Sequence, residues 1–274
     1  MVLPLVFLLG CPSETKDEVV DSDGDGLLDT EEADLGTDPA KADSDEDGFE
    51  DKAEVDGGTS PLWAYSHPFE EGDYLVGDCP EHPDESAAGP TGTAELVSGG
   101  ETYTWDTYQE GDIMANLVNT DQYGQEVSLY TFCGNYVVVT QAAEWCGPCQ
   151  QLAATMADEM EHIRDEVPNF LFYEVLYQNN RGGNPNTSVL ENWSESFDLY
   201  GKDDTEFDEI PVVAPEDNTS EEMNWINATG SIPATLLVAP DGEVIWSAAN
   251  RRDYYLTDAD TILNVIENHM EGGD

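Results

Sequence analysis

The chain has 274 residues, 39% of them hydrophobic, and sets eight basic residues against sixty acidic ones for a formal net charge of −52. That length and apolar share suffice for one well-packed domain with smaller modules attached. The charge argues against nucleic acid and anionic membrane surfaces as partners, because like charges repel. A solvated acidic surface suited to a salty environment accounts for most of it, with attraction of a basic partner as the alternative.

The first residues, Met1 to Gly10, form an apolar run that is too short to span a bilayer and has the length of a secretion-signal core. Leu8-Leu9-Gly10-Cys11 resembles a bacterial lipobox, in which the signal is cut before the cysteine and that cysteine is lipidated. The resemblance makes residues 1–11 a lipoprotein signal and Cys11 a membrane anchor. The mature protein is then exported, to the periplasm or the cell surface of a bacterial envelope, where disulfides persist. A frayed apolar tail is the alternative, and the basic residues that usually open such signals are absent.

Residues 12–20 read as a polar tether, and with it residues 12–61 form one segment built on an internal repeat. Asp21-Ser-Asp23-Gly-Asp25-Gly26-Leu27-Leu-Asp29-Thr-Glu-Glu32 recurs 22 residues on as Asp43-Ser-Asp45-Glu-Asp47-Gly48-Phe49-Glu-Asp51-Lys-Ala-Glu54. Each copy places acids at loop positions 1, 3, 5, 9 and 12, glycine at 6, and a backbone carbonyl (Leu27, Phe49) at 7. Hard oxygen ligands in that order suit Ca²⁺. The candidate ligands are Asp21, Asp23, Asp25, Leu27, Asp29 and Glu32, then Asp43, Asp45, Asp47, Phe49, Asp51 and Glu54. The short period leaves no room for a full helix on both sides of each loop, so paired EF-hands are excluded. The segment resembles thrombospondin type 3 or dockerin-like calcium repeats, with a disordered acidic tract as the alternative.

Residues 62–100, rich in Pro, Gly and acids, show little periodicity and read as an irregular linker. Residues 101–274 carry an α/β pattern. Strands are expected near 113–119 and 126–130 across an Asp121–Gly124 turn, then at 136–140 and 170–177. Further strands are expected at 210–213 and in a hairpin, 233–239 with 244–248, around Pro240-Asp241-Gly242. Helices are expected at 150–164, 188–199, 220–226 and 258–270.

Between the 136–140 strand and the helix after it stands Trp145-Cys146-Gly147-Pro148-Cys149. Two thiols at that spacing can close a small reversible disulfide. The first sits at a helix N-terminus, where the macrodipole and unpaired N–H groups favour the thiolate, the nucleophile of thiol–disulfide exchange. A static disulfide or half of a zinc site are the alternatives, and the latter needs two further ligands; Cys79-Pro-Glu-His82 offers a C-x-x-H, but nothing in the sequence brings it to Cys146. With Cys11 set aside, Cys79 and Cys133 remain. In an exported chain they are candidates for a structural disulfide, with two buried thiols or a relay to the C-x-x-C pair as the alternatives.

Ala143-Glu144-Trp145-Cys146-Gly147-Pro148-Cys149, together with Ser231-Ile232-Pro233-Ala234-Thr235 entering a later strand, resembles the thioredoxin fold, and within it the exported TlpA-like redoxins. The resemblance implies an α/β fold with a mixed central sheet and helices on both faces, preceded here by the calcium-loop segment and linker. It implies a protein-disulfide oxidoreductase with no organic cofactor, acting on a disulfide- or thiol-containing protein with a separate electron donor or acceptor. Cys146, the more exposed thiol, would attack, and Cys149 would resolve the mixed disulfide. Pro148 suits the first helical turn and Gly147 a tight backbone turn. Trp145 would bound the substrate groove, and Ile232 with a cis Pro233 would supply the backbone edge against which a peptide lies.

Three departures stand out. Thr140, six positions before Cys146, replaces a buried aspartate that serves the family as proton acceptor; Gln150 replaces a common lysine; and Glu144 adjoins the motif. They are expected to disfavour the Cys146 thiolate and to give a slower or more specialised enzyme. Two further functions compete with a general exported oxidoreductase: a partner-specific reductant, as in cytochrome c maturation, and a calcium-dependent surface binding protein on a non-catalytic redoxin scaffold.

Overall fold

The computed structural model describes residues 20–77, 79, 82–200, 209–218, 222–249, 256 and 258–272. Cys11 and the rest of the expected signal and tether up to residue 19 lie outside them.

Among the described residues the core sheet has five strands in the order β7-β6-β5-β8-β9. They are β5 (Tyr136–Ala143), β6 (Phe170–Gln178), β7 (Val212–Val213), β8 (Ala234–Val238) and β9 (Val244–Ser247). Every residue of β5 is buried, as a strand covered on both faces requires, and its run of valines supplies that cover. β5 pairs parallel with β6 and antiparallel with β8, so the sheet is mixed. The β8–β9 connection closes through Gly242, at φ +88°, whose N–H donates to the Ala239 carbonyl at 2.9 Å.

Helix α3 (Gly147–Arg164) links β5 to β6, α4 (Thr187–Phe197) follows β6, and α6 (Ala259–Met270) closes the chain after the short α5 (Glu222–Trp225). The buried stripe of α3 is Cys149, Leu152, Ala153, Met156, Met160 and Ile163, recurring at helical spacing. Parallel pairing of Tyr136 with Phe170, Val138 with Phe172, Thr140 with Glu174 and Ala142 with Leu176 puts these eight residues on one sheet face. That face lies under α3 and α6. The Tyr136 hydroxyl meets His269 of α6 at 3.1 Å, and Ala259 N–H of α6 donates to Glu159 of α3 at 2.7 Å. On the opposite face the Tyr173 hydroxyl accepts from Asn119 at 2.9 Å, and the Tyr173 ring meets the edge of Phe132.

Upstream of the core sheet, two elements are shorter than expected. The 113–119 strand contracts to β3 (Val118–Thr120), with Ile113 making only isolated bridges to Ala88 and Glu243. The 126–130 strand stops as β4 (Glu126–Ser128), because the Ser128 side chain accepts from Tyr130 N–H and starts a 3₁₀ turn at Leu129–Phe132.

Residues 62–100 differ from the irregular linker that their composition suggests. They contain β1 (Gly92–Ser98), which forms an antiparallel hairpin with β2 (Glu101–Thr107). Five of the seven residues of β1 are exposed, so the strand carries no alternating signature. Earlier in the stretch, aromatic side chains dock onto the domain one at a time. Trp63 Nε1 donates to the Tyr130 carbonyl at 3.2 Å, Thr131 donates to the Tyr65 carbonyl, and the fully buried Tyr74 donates to Asp121 at 2.9 Å. The sulfurs of Cys79 and Cys133 are bonded, which takes Cys79 out of any zinc site.

Candidate functional site

Strand β5 delivers Cys146 to the N-cap of α3. Cys146 N–H donates to the Ala143 carbonyl at 2.9 Å, and Cys146 Sγ accepts from Cys149 N–H at 3.2 Å. Pro148 occupies the first turn, where it removes no helical hydrogen bond. The Cys146 and Cys149 sulfurs are bonded at 2.10 Å, with Cα atoms 5.2 Å apart. Both residues are buried in this disulfide form, Cys146 at 4% exposure and Cys149 at 0%. The expected greater exposure of Cys146 is therefore slight, because its sulfur faces the chain entering β8.

That chain carries a cis Ile232–Pro233 bond, and the Ile232 carbonyl oxygen lies 3.7 Å from Cys146 Sγ. A backbone edge thus stands directly beside the disulfide. Trp145, 50% exposed, flanks it, with Nε1 donating to Gln178 at 3.2 Å. Gly147 has no positive φ, and a Cβ added there would meet nothing within 4 Å. It is accordingly not needed for a tight turn, and a side chain there would meet open space. The Glu144 carboxylate accepts from Asn180 N–H at 2.7 Å, so it is engaged with the loop after β6.

On the sheet face under α3, Thr140 Oγ1 donates to Glu174 Oε2 at 2.7 Å. Glu174 is fully buried, and its Oε1 has no hydrogen-bond partner. Burial lifts its carboxyl from 4.5 to about 7, while the Thr140 hydrogen bond acts in the opposite direction. Sequence reading missed Glu174. The signal was a lone acid inside the apolar run Phe170-Leu-Phe-Tyr-Glu174-Val-Leu.

The two acidic loops form a second constellation, each followed by one seven-residue helix, α1 (Asp29–Leu35) and α2 (Asp51–Gly57). Carboxylate oxygens of Asp21, Asp23 and Asp25 lie within 4.8 Å of one another, as do those of Asp43, Asp45 and Asp47. Gly26 and Gly48, at φ +106° and +104°, make the turn that L side chains resist. Both carboxylate oxygens of Glu32 and of Glu54 are enclosed without a hydrogen-bond donor. Burial, reinforced by neighbouring acids, lifts Glu32 to about 6 and Glu54 to about 9. Buried carboxylates crowded in this way call for a cation, and an all-oxygen donor set fits Ca²⁺.

Asp29 and Asp51 have another task. Ser22 donates through both N–H and Oγ to Asp29, at 2.9 Å each, and Ser44 does the same to Asp51, at 2.7 Å each. Both oxygens of each acid thus accept a hydrogen bond that braces the loop. Lys52 N–H donates to Asp25 at 3.1 Å and joins the second repeat to the first.

A mixed sheet, a cis proline facing a disulfide and that disulfide capping the helix after the central strand define the thioredoxin class of domain. Residues 115–189 match the thioredoxin family, and residues 21–42 and 43–63 each match the bacterial TSP3 repeat. The chain carries a thioredoxin domain, preceded by two bacterial TSP3 repeats. Human nucleoredoxin is 25% identical over 125 residues, which cover 44% of this chain and 24% of nucleoredoxin. The chain therefore spans about a quarter of the length of that curated relative. Among solved structures, the thioredoxin domain of a thiol-disulfide oxidoreductase from Bacteroides vulgatus is 18% identical, with a TM-score of 0.44 over 60% of this chain and 99% of that one. The exposed lipoprotein thioredoxin of Streptococcus pneumoniae is 16% identical, with a TM-score of 0.40 over 56% and 99%.

Proposed function

We propose that the chain is an exported protein-disulfide oxidoreductase in which Cys146 and Cys149 form the redox pair. The observation that carries this reading is the placement of the Cys146 sulfur at the N-cap of α3, 3.7 Å from the Ile232 carbonyl. In the dithiol form the helix N-terminus stabilises a Cys146 thiolate. That thiolate attacks a substrate disulfide, and Cys149 then displaces the substrate from the mixed disulfide. A peptide lying along the edge beside Ile232 and Pro233, with Trp145 as a flanking wall, presents its sulfur to Cys146. The partners are a disulfide- or thiol-containing protein and a separate electron donor or acceptor, and no organic cofactor is needed.

The test is insulin reduction by the full-length protein with a dithiol donor. Wild type is expected to turn over, Cys146→Ser to be inactive, and Cys149→Ser to accumulate a mixed disulfide. A wild type indistinguishable from Cys146→Ser would overturn the assignment.

In this proposal each repeat holds one Ca²⁺, the first through Asp21, Asp23, Asp25, the Leu27 carbonyl and Glu32, the second through Asp43, Asp45, Asp47, the Phe49 carbonyl and Glu54. Asp29 and Asp51 support the loops from behind. The ion offsets the carboxylate repulsion and stiffens the segment between anchor and domain. A lipid on Cys11 attaches the protein to the membrane; among the described residues no helix is long and apolar enough to cross one. Calorimetric titration of the full chain with Ca²⁺ is expected to show two sites, and no heat at millimolar Ca²⁺ would remove this part of the reading.

A further inference from the structure

Resolution of a mixed disulfide requires the Cys149 thiol to lose its proton, because the thiolate is the nucleophile. Cys149 is fully buried in the disulfide form, which favours transfer of its proton to a group inside the protein. Cys149 belongs to the α3 stripe that covers the face bearing Tyr136, Val138, Thr140, Ala142, Phe170, Phe172, Glu174 and Leu176. Helix α3 begins just past the C-terminal end of β5 and runs back over the sheet, since Arg164 near its end donates to the Phe170 carbonyl at the start of β6. Its first turn therefore lies toward the C-terminal halves of β5 and β6, where Thr140 and Glu174 sit.

Among the described residues, the other titratable groups on this face are remote from that turn. Tyr136 and His269 bond to each other at the opposite end of β5, and Glu159 is committed to the start of α6. Strand β7 presents valines, with Val212 paired to Glu174. Among the described residues, the other buried acids belong to the repeats (Glu32, Asp51, Glu54) or to the loops around Asp112, Asp121 and Glu209. Among the described residues, Glu174 alone combines full burial, an unpartnered oxygen and a position under α3; its second oxygen is held by Thr140.

We propose that Glu174 takes the proton of Cys149 when that thiol becomes the nucleophile, with Thr140 orienting its carboxylate. The inference rests on the redox reading of the Cys146–Cys149 pair. In the step, the Cys149 S–H bond breaks and the proton moves to the Glu174 carboxylate. A bond forms between the Cys149 and Cys146 sulfurs as the bond from Cys146 to the substrate sulfur breaks. The electron pair leaves on the substrate thiolate, which is protonated from solvent, and Glu174 later returns its proton to solvent. The cysteine pair is oxidised and the substrate disulfide is reduced to two thiols. A carboxyl brought near 7 by burial populates both forms at neutral pH, which suits transfer in either direction.

The test follows the reduced full-length protein reacting with an aromatic small-molecule disulfide by stopped-flow absorbance. The first aryl thiolate reports attack by Cys146, and the second reports resolution by Cys149. Glu174→Gln is expected to leave the first phase within about twofold and to slow the second about 100-fold at pH 7, erasing its inflection near neutrality. Glu174→Asp should recover part of the second phase. An unchanged second phase in Glu174→Gln, or equal slowing of both phases, overturns the proposal while leaving the redox reading intact. A wild type that releases no thiolate overturns both. Should Glu174→Gln not fold, infrared titration of the wild-type buried carboxyl decides: its midpoint should differ between the dithiol and disulfide forms, and identical midpoints overturn the proposal.

Discussion

Glu174 also makes a thermodynamic prediction that is independent of its role in exchange. Its carboxyl stands at 4.5 in the ordinary case and at about 7 in the fold, because burial penalises the charge. For an acid raised in this way, the unfolded chain ionises first as pH rises. Between about 4.5 and 7 the native state holds the extra proton, so stability falls across that window and levels off above it. At about 1.4 kcal/mol per pH unit, the gap corresponds to about 3 kcal/mol lost between pH 4 and pH 8. Glu174→Gln removes the titration and can keep the Thr140 hydrogen bond through its amide oxygen. Burying the amide N–H₂ adds a pH-independent offset of about 1–3 kcal/mol. The assay is urea unfolding of the oxidised full-length protein at fixed Ca²⁺, at pH 4, 6 and 8. The other acids titrate alike in both proteins and cancel in the difference. The stability of the variant relative to wild type should rise by about 3 kcal/mol from pH 4 to pH 8. A difference that stays flat with pH would refute the reasoning, whatever its absolute size.

The remaining predictions concern the repeats and the docked segment. Because Glu54 is held at about 9 without an ion, Ca²⁺ must displace its proton, so affinity should rise with pH toward 9. Calorimetry at pH 7 in two buffers of different ionisation heat should show about one proton released at the second repeat; zero release would be inconsistent with Glu54 as a ligand. Gly77→Ala would place a Cβ 1.5 Å from the Cys133 carbonyl oxygen, a backbone atom that cannot step aside. A loss of roughly 3 kcal/mol is expected in denaturant unfolding, and a wild-type midpoint would show that residues 72–77 do not dock as described. Cys79→Ser with Cys133→Ser opens a link spanning 54 residues and should cost roughly 2–4 kcal/mol while leaving the aryl-disulfide reaction of Cys146 unchanged.

Much of the site is legible in the chain because its chemistry is local. The C-x-x-C spacing sets both sulfurs on the first turn of one helix, and the apolar stripe from Leu152 to Ile163 fixes which side of that helix is buried. The D-x-D-x-D-G loops likewise gather their carboxylates within a few residues, and Gly26 and Gly48 follow from the turn those loops must make. The β8–β9 hairpin and the final helix are readable from Pro240-Asp241-Gly242 and from the spacing of Ile262, Leu263 and Ile266. In each case the interacting groups are close enough along the chain for periodicity and turn chemistry to record them.

What tertiary structure alone decided involves partners far apart in sequence. The Ile232 carbonyl reaches Cys146 through the β5–β8 pairing, and Glu174 meets Thr140 through the β5–β6 register. The docking of Trp63, Tyr65 and Tyr74 onto residues 121–131 has no periodic signature, because each contact is made by a single residue of irregular backbone. Even within the repeats, spacing makes ligands of Asp29 and Asp51, and only the three-dimensional loop shows both oxygens of each turned to Ser22 and Ser44. The primary structure thus determined which groups could do chemistry on the first turn of α3 and in the acidic loops. The fold determined what surrounds them, and for a buried thiol the surroundings decide, because enclosure leaves a proton only the acceptors that packing has placed nearby.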